Sequence, residues 1–138
     1  MNNVMIDSNV ILDVFLERDP FFEASAKTLN LVYDKLVTAM IPASCITDIY
    51  YVARRISHNK EKSYKAIELV TKILEICDVT SDIIHTAFQH NADDFEDCIL
   101  AECAKANECS YIITRNEKDF SEFEVRCITP EEFIEMMP

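Results

Sequence analysis

The segment Val4-Met5-Ile6-Asp7-Ser8-Asn9 decides the fold prediction, because an apolar run ends there on an acidic residue. Residues 4–7 have the length and composition of a short buried strand, and residues 9–17 follow with apolar side chains at helical spacing. A strand that leads directly into a helix is typical of a β-α unit. We therefore expect Asp7 to end a strand at the edge of a sheet.

The rest of the chain repeats this alternation of strand and helix. Further strands are predicted at residues 37–41, 76–79, 111–114 and 125–128, and further helices at residues 20–36, 44–57, 61–74, 81–89, 94–106 and 130–136. The pattern predicts the α/β class, as a three-layer α/β/α sandwich around a mainly parallel sheet of four or five strands. In such sheets, sites form at the carboxyl ends of the strands.

Single residues mark the expected starts of three helices. Pro20 suits the first turn of one helix, and Ser44 and Ser81 suit the N-cap positions of two others. The length of 138 residues, without a linker or an internal repeat, predicts one domain spanning residues 1–138.

The composition excludes several classes of protein. The chain contains no glycine, so neither a phosphate-binding P-loop nor a dinucleotide-binding Gly-x-Gly-x-x-Gly turn is present. The six cysteines form no Cys-x-x-Cys pair and lack histidines at zinc spacing, so we expect free buried thiols. No apolar run reaches the length of a membrane span and no signal peptide is recognisable, which predicts a cytoplasmic protein without a membrane partner.

Acidic residues dominate the charge, and the net charge at neutral pH is −12. Basic residues concentrate in one stretch that contains Arg54, Arg55, His58, Lys60, Lys62 and Lys65. That stretch has two interpretations: a site that binds the phosphates of a nucleic acid, or a helix face that is simply solvated. The second interpretation is the more common one.

Four acidic segments carry the functional signal. They are Val4-Met5-Ile6-Asp7-Ser8-Asn9, Ile46-Thr47-Asp48-Ile49-Tyr50-Tyr51, Asp94-Phe95-Glu96-Asp97 and Ile113-Thr114-Arg115-Asn116-Glu117-Lys118-Asp119-Phe120. Each lies where an apolar run meets a loop or the start of a helix. Carboxylates gathered at such places usually bind a hard divalent cation such as Mg²⁺, which favours an enzyme that cuts phosphodiester bonds.

The acids of the first two segments differ in how clearly they indicate a functional role. We interpret Asp7 as functional rather than as a helix cap, with Asn9 beside it as a support for a carboxylate or a metal-bound water. Asp13 lies one helical turn after Asn9, and we interpret it as a residue with a structural role. Asp48 alone is equally consistent with an exposed helical acid.

The last two segments are interpreted from helix and strand geometry. Asp94 and Asp97 are three residues apart and should share a helix face, from which Glu96 should point away. An acidic first turn is also common in helices without any function. Asn116 and Asp119 follow a strand that ends in Thr114, whose hydroxyl could donate a hydrogen bond to a neighbouring carboxylate.

Together these segments resemble the PIN-domain ribonucleases, the fold of VapC-type toxins, over essentially the whole chain. The resemblance implies Mg²⁺- or Mn²⁺-dependent endonucleolytic cleavage of RNA that leaves 5′-phosphate and 3′-hydroxyl ends. The site residues that it implies are the metal-binding acids Asp7, Asp48 and Asp97, with Asp94 as an added candidate, the fourth-segment residues Asn116 and Asp119, and the supporting residues Asn9 and Thr114. Arg54, Arg55 and Arg115 are candidate RNA contacts.

Two positions depart from the family pattern. Many members carry Glu where Asp48 stands and Asp where Asn116 stands, so Asp119 is an alternative source of the fourth charge. The resemblance also implies a homodimer and an antitoxin partner, which for so acidic a chain we expect to be small and basic.

Two other functions compete with the nuclease. The net charge and the neutral Asn116 are compatible with a catalytically weak or inactive PIN-fold module that binds or regulates. A phosphotransferase that uses Asp7 as nucleophile, of the haloacid-dehalogenase type, is disfavoured because Asn9 replaces the second Asp and the usual glycines are missing.

Overall fold

A five-stranded sheet forms the centre of the molecule. The computed structural model describes residues 3–116, 120 and 122–137. Its strands are β1 (Asn3–Ile6), β2 (Thr38–Pro42), β3 (Glu75–Cys77), β4 (Tyr111–Ile113) and β5 (Cys127–Ile128). All pairings are parallel, and the strand order is β3-β2-β1-β4-β5. The carboxyl ends of the strands therefore meet at one edge, with β1 in the middle.

Helices flank this sheet. The helices in the described residues are α1 (Ser8–Phe15), α2 (Phe22–Tyr33), α3 (Ala43–Ser57), α4 (Lys60–Ile73), α5 (Ser81–His90), α6 (Phe95–Ala106) and α7 (Pro130–Met136). The predicted α/β class is confirmed, and each predicted strand and helix has a counterpart.

Burial along β1 shows that helices cover both faces of the sheet. Val4, Met5 and Ile6 are consecutive, and none has solvent exposure. Because consecutive side chains of a strand point to opposite faces, neither face at β1 is open to water. Ile112 and Ile113 of β4 are buried in the same way. This arrangement is the predicted three-layer sandwich.

The start or the cap of three helices differs from the prediction by one or two residues. Helix α2 begins at Phe22, so Pro20 lies in the preceding turn rather than in the helix. Helix α3 begins at Ala43 directly after Pro42, which places Ser44 inside its first turn. Thr80, not Ser81, caps α5 and accepts a hydrogen bond from the amide of Ile83. Thr80 and Ser81 are adjacent polar residues that can both cap a helix. Helices α2 and α3 instead have Phe21 and Pro42 at the N-cap position, without a capping hydrogen bond from the side chain.

The sheet also ends earlier than predicted at its functional edge. Strands β1 and β4 stop at Ile6 and Ile113, so Asp7 and Thr114 lie just past the last paired residues. The amide of Asp7 still donates to the carbonyl of Ile113, at 3.1 Å. That hydrogen bond keeps the residue that follows β1 next to the end of β4.

No helix within residues 3–116, 120 and 122–137 is both long enough and apolar enough to cross a bilayer.

Candidate active site at the carboxyl edge of the sheet

Asp7 stands at the centre of this edge, at the N-cap position of α1. Three side chains donate to its carboxylate. Thr114 Oγ1 lies 2.9 Å and Asn9 Nδ2 3.1 Å from Oδ2, and Ser8 Oγ lies 3.4 Å from Oδ1. Burial raises the pKa of Asp7, and the hydrogen bond from Thr114 opposes that rise. The carboxylate is therefore fixed in position but poorly compensated in charge.

Thr114 links two of the four acidic segments. Its side chain is fully buried, and its hydroxyl oxygen accepts a hydrogen bond of 3.2 Å from the amide of Asn116. One hydroxyl thus holds Asp7 and also shapes the loop after β4. The hydrogen bond predicted from Thr114 to a carboxylate is present. The side chain of Asn116 is exposed, and Asp119 lies outside the described residues.

Asp48 approaches the same edge from α3, which follows the strand next to β1. Its side chain shares a hydrogen bond with Glu96. Burial, this hydrogen bond and the charges of Asp48, Asp94 and Asp7 together raise the pKa of Glu96 to about 7. Glu96 therefore holds its proton up to near neutral pH in the folded protein. Acids from three separate elements therefore lie within one electrostatic cluster.

The buried thiol of Cys45 provides an independent sign of this cluster. Cys45 lies one turn before Asp48 in α3. Burial is the main cause of its raised pKa, followed by the charges of Asp7, Glu96 and Asp48. All three carboxylates therefore lie close enough to this one thiol to influence it electrostatically.

Glu96 corrects a prediction, since we expected its side chain to point away from Asp94 and Asp97. The rule that residues three apart share a face assumes helical backbone at both positions. Asp94 is instead the N-cap, with φ −105° and ψ 97°, and its carboxylate accepts a hydrogen bond of 2.9 Å from the amide of Asp97. The long Glu96 side chain reaches Asp48 from the first helical turn. Reading Asp94 as an N-cap in the sequence could have revealed this.

Asp97 lies in that same first turn and is half-buried. Helix α6 leads back to the start of β4, so its N-terminus lies at the carboxyl edge of the sheet. The acidic turn at residues 94–97 therefore faces the same region as Asp7 and Asp48. The catalytic roles assigned to these acids stay predictions.

Asp13 and Arg115 form a separate buried ion pair behind the site. Arg115 Nε lies 3.3 Å from Asp13 Oδ2, and Arg18 Nη1 lies 3.8 Å from Oδ1. The Arg115 guanidinium also stacks 4.1 Å from the centre of the Phe21 ring. This geometry explains the structural interpretation of Asp13, and it gives Arg115 a structural role besides the predicted RNA contact.

Arg54 and Arg55 lie in the last turn of α3 and are exposed. Neither has an ion-pair partner within the part of the chain that the structure describes. They are therefore available to an external anion, as the RNA-contact prediction requires.

The carboxylate cluster fits a divalent cation chemically. Burial is the largest cause of the raised pKa values of both Asp7 and Glu96, and no basic side chain is among the causes that lower either of them. The buried Asn9 Oδ1 has no hydrogen-bond partner, so a further oxygen ligand or water acceptor faces this region. Among the described residues, no three His, Cys, Asp or Glu side chains are already arranged as a metal site. A cation would therefore have to draw the carboxylates closer together.

Fold and site define a parallel α/β domain with acids from several elements at the carboxyl edge of its sheet. Residues 3–118 match the PIN domain family, and the chain belongs to that family. Membership removes the phosphotransferase alternative.

Relatives with known names agree with this assignment. The chain is 30% identical over 137 residues to Ribonuclease VapC1 of Aquifex aeolicus (strain VF5), covering 96% of this chain and 93% of that protein. Among solved structures, it resembles the DNA-bound VapBC of Salmonella typhimurium with a TM-score of 0.72 and 17% identity, covering 94% of this chain and 99% of that one. VapBC2 of Rickettsia felis, bound to a promoter DNA fragment, matches with a TM-score of 0.70 and 17% identity, covering 92% and 98%. These structural likenesses establish the fold.

Proposed function

We propose that this protein is an endoribonuclease that needs Mg²⁺ or Mn²⁺ and acts as the toxin of a toxin–antitoxin pair. The similarity to a ribonuclease over nearly the full length of both chains supports the reaction class. The cluster of Asp7, Asp48 and Glu96 at the sheet edge supports the dependence on a cation.

The single observation that carries the proposal is the environment of Asp7. A carboxylate at a buried sheet end is costly, and a purely structural acid would be paired with a cation, as Asp13 is with Arg115. Asp7 is instead held by neutral donors from Thr114, Asn9 and Ser8. Such donors orient a carboxylate while leaving its charge available.

In this proposal, Asp7, Asp48 and Asp97 hold the cation, with Asp94 and Glu96 beside them. When bound, Mg²⁺ or Mn²⁺ supplies charge neutralisation for the scissile phosphate and lowers the pKa of a water. The protein contributes orientation through the Thr114 and Asn9 hydrogen bonds. Asn116 and Asp119 complete the fourth segment, and Arg54 and Arg55 contact the phosphates of the RNA.

The proposed partner is a small basic antitoxin. Two of the structural neighbours are themselves VapBC assemblies. A net charge of −12 favours a partner that inserts an Arg or Lys side chain among the clustered carboxylates. We further propose a homodimer, a cytoplasmic location and a single domain over residues 1–138, and sedimentation equilibrium tests the dimer.

Cleavage of end-labelled single-stranded RNA tests the function. The wild type with millimolar Mn²⁺ should generate fragments with 5′-phosphate ends, and excess EDTA should stop the reaction. Asp97→Asn and Asp7→Asn should abolish cleavage. The matched control is Asp34→Asn, because Asp34 is exposed at the end of α2 and far from the sheet edge in sequence and fold.

Two results would count against the proposal. Full activity of Asp97→Asn would remove that acid from the site. Absence of cleavage together with no Mn²⁺-induced heat in calorimetry would favour the catalytically inactive binding module instead.

A further inference from the structure

Three tyrosines form a continuous aromatic surface next to the carboxylate cluster. The Tyr50 and Tyr51 rings are 5.6 Å apart between centroids, and the Tyr50 and Tyr64 rings are 5.3 Å apart, both in edge-to-face geometry. Lys60 Nζ lies 5.9 Å from the Tyr64 ring centroid. The tyrosine face, as we call residues 50, 51 and 64, therefore bridges α3 and α4.

This surface is open to solvent. Tyr51 is 64% exposed and Tyr64 57% exposed, while Tyr50 is half-buried and contacts both rings. Exposed aromatic rings lose apolar contact that burial would provide. Aromatic rings that are exposed and in contact with one another are typical of a recognition surface rather than of a core.

Helix geometry connects the tyrosine face to the site. Asp48, Tyr51 and Arg55 stand at positions i, i+3 and i+7 of α3, and such positions form one stripe along a helix. The stripe is about 10 Å long. It runs from the carboxylate cluster, past an exposed ring, to an exposed guanidinium.

The charge around the tyrosine face is opposite to that of the whole chain. From Arg54 to Lys65 there are five Lys or Arg residues and a single acid, Glu61, in a protein of net charge −12. All five basic side chains are exposed. None has an ion-pair partner within residues 3–116, 120 and 122–137. The complementary ligand is a polyanion that also carries flat rings.

We propose that the tyrosine face is a stacking platform for unpaired bases of the RNA strand, next to the phosphate that the carboxylate cluster receives. This proposal rests on the proposed RNA cleavage and specifies its substrate as single-stranded at this point. Tyr51 stacks on one base, Tyr64 on another, and Arg55 and Lys60 contact the adjoining phosphates. Stacking accepts any base, so the platform selects for unpaired structure rather than for sequence.

Other occupants fit the charges less well. A basic antitoxin segment would be repelled by Arg54, Arg55 and Lys60, although it suits the acidic remainder of the chain. A second copy of this chain in a two-fold contact would set the same basic surface against itself.

The absence of tryptophan from the chain allows a direct spectroscopic test. A Tyr51→Trp variant in an Asp97→Asn background has one indole and should not cleave its ligand. Titration with a twelve-nucleotide oligouridylate in EDTA should quench its emission. The matched control is Tyr33→Trp in the same background, because Tyr33 is 68% exposed at the end of α2, and its emission should not change.

Binding of a labelled oligouridylate by fluorescence anisotropy gives the second readout. Tyr51→Ala and Tyr64→Ala should each raise the Kd roughly tenfold. Tyr51→Phe should restore binding to within about twofold, because the ring is kept. Tyr33→Ala should bind like the wild type. A blunt-ended RNA duplex, in which every base is paired, should show no difference between Tyr51→Ala and the wild type.

Three outcomes would overturn the proposal. They are an unquenched Tyr51→Trp emission during saturable binding, equal oligouridylate affinity for Tyr51→Ala and wild type, and a loss of self-association in Tyr51→Ala without any change in RNA affinity. The last would assign the tyrosine face to a second copy. Failure of the wild type to cleave RNA would contradict the proposed function while leaving the quenching result intact, so the two failures are distinguishable.

Discussion

Thr114 Oγ1 donates a hydrogen bond of 2.9 Å to Asp7 Oδ2, although 107 positions separate the two residues in sequence. The contact exists because β1 and β4 are neighbouring parallel strands that end at the same level. The hydroxyl is fully buried, and its hydrogen bond orients the carboxylate of Asp7.

Replacing this hydroxyl should weaken the site without unfolding the protein. Thr114→Val keeps the shape of the side chain but removes the donor, so the pKa of Asp7 should rise further. We expect Mn²⁺ affinity to fall about 10- to 100-fold, as for other supporting residues of metal sites. Isothermal titration calorimetry measures this. Thr114→Ser should recover most of the affinity, and a Thr114→Val variant with unaltered affinity would show that the hydrogen bond is dispensable.

Neutralising Asp7 should abolish RNA cleavage and make the metal-free protein more stable. The raised pKa of Asp7 shows that its ionised form is unfavourable in the folded protein. Asp7→Asn should therefore unfold at a temperature a few degrees higher than the wild type at pH 8 in EDTA, and it should cleave no RNA. With Mn²⁺ at a hundred times its Kd, the wild type should gain about 2.7 kcal/mol and the variant much less. Differential scanning calorimetry in both conditions checks each part, and a less stable metal-free variant would contradict the charge argument.

Glu96 should make the metal-free protein less stable as the pH rises. Its folded pKa of about 7 exceeds its ordinary value of 4.5, so the folded state binds this proton more tightly than the unfolded state does. The resulting stability is complete below pH 4.5 and is lost as the pH rises through about 7.

Glu96→Gln isolates this contribution because it removes the titrating group while keeping the length of the side chain. In EDTA, the wild-type melting temperature should decline more steeply between pH 5 and pH 8 than that of the variant. Glu61→Gln is the control, because Glu61 is exposed in the first turn of α4. Parallel pH profiles for wild type and Glu96→Gln would contradict the raised pKa of Glu96.

The ion pair between Arg115 and Asp13 should matter for stability. Arg115→Met leaves the fully buried Asp13 with only the longer contact to Arg18, at 3.8 Å. We expect a loss of about 3 kcal/mol in the free energy of unfolding, measured in urea. Arg18→Met should cost less, because the 3.3 Å contact to Arg115 remains. A larger loss of unfolding free energy in Arg18→Met than in Arg115→Met would show that Arg18 is the stronger partner of Asp13.

Much of the fold follows from local patterns in the chain. Apolar runs such as Val4-Met5-Ile6 and Ile112-Ile113 predict buried strands, and the helices between them predict parallel pairing. Helix starts were less accurate at Pro20, Ser44 and Ser81, because α2 and α3 begin without a side-chain cap and because Thr80 and Ser81 are both suitable caps for α5.

The candidate site was only partly accessible to the same reasoning. Asp7 and Thr114 could be placed at strand ends, and their contact followed once β1 and β4 proved to be neighbours. Glu96 was missed because the backbone at Asp94 leaves the helical region, which invalidates a rule based on regular helix spacing. The tyrosine face was missed because its rings come from two different helices.

The sequence by itself determined the α/β class, the strand-end position of Asp7 and the basic stretch after Arg54, since each depends on residues close together in the chain. Only the tertiary structure decided which acids meet. Glu96 is hydrogen-bonded to Asp48, and Arg115 is paired with Asp13, through contacts between distant segments. Strand order and helix packing set those distances, and electrostatic interaction depends on distance in space rather than on separation along the chain.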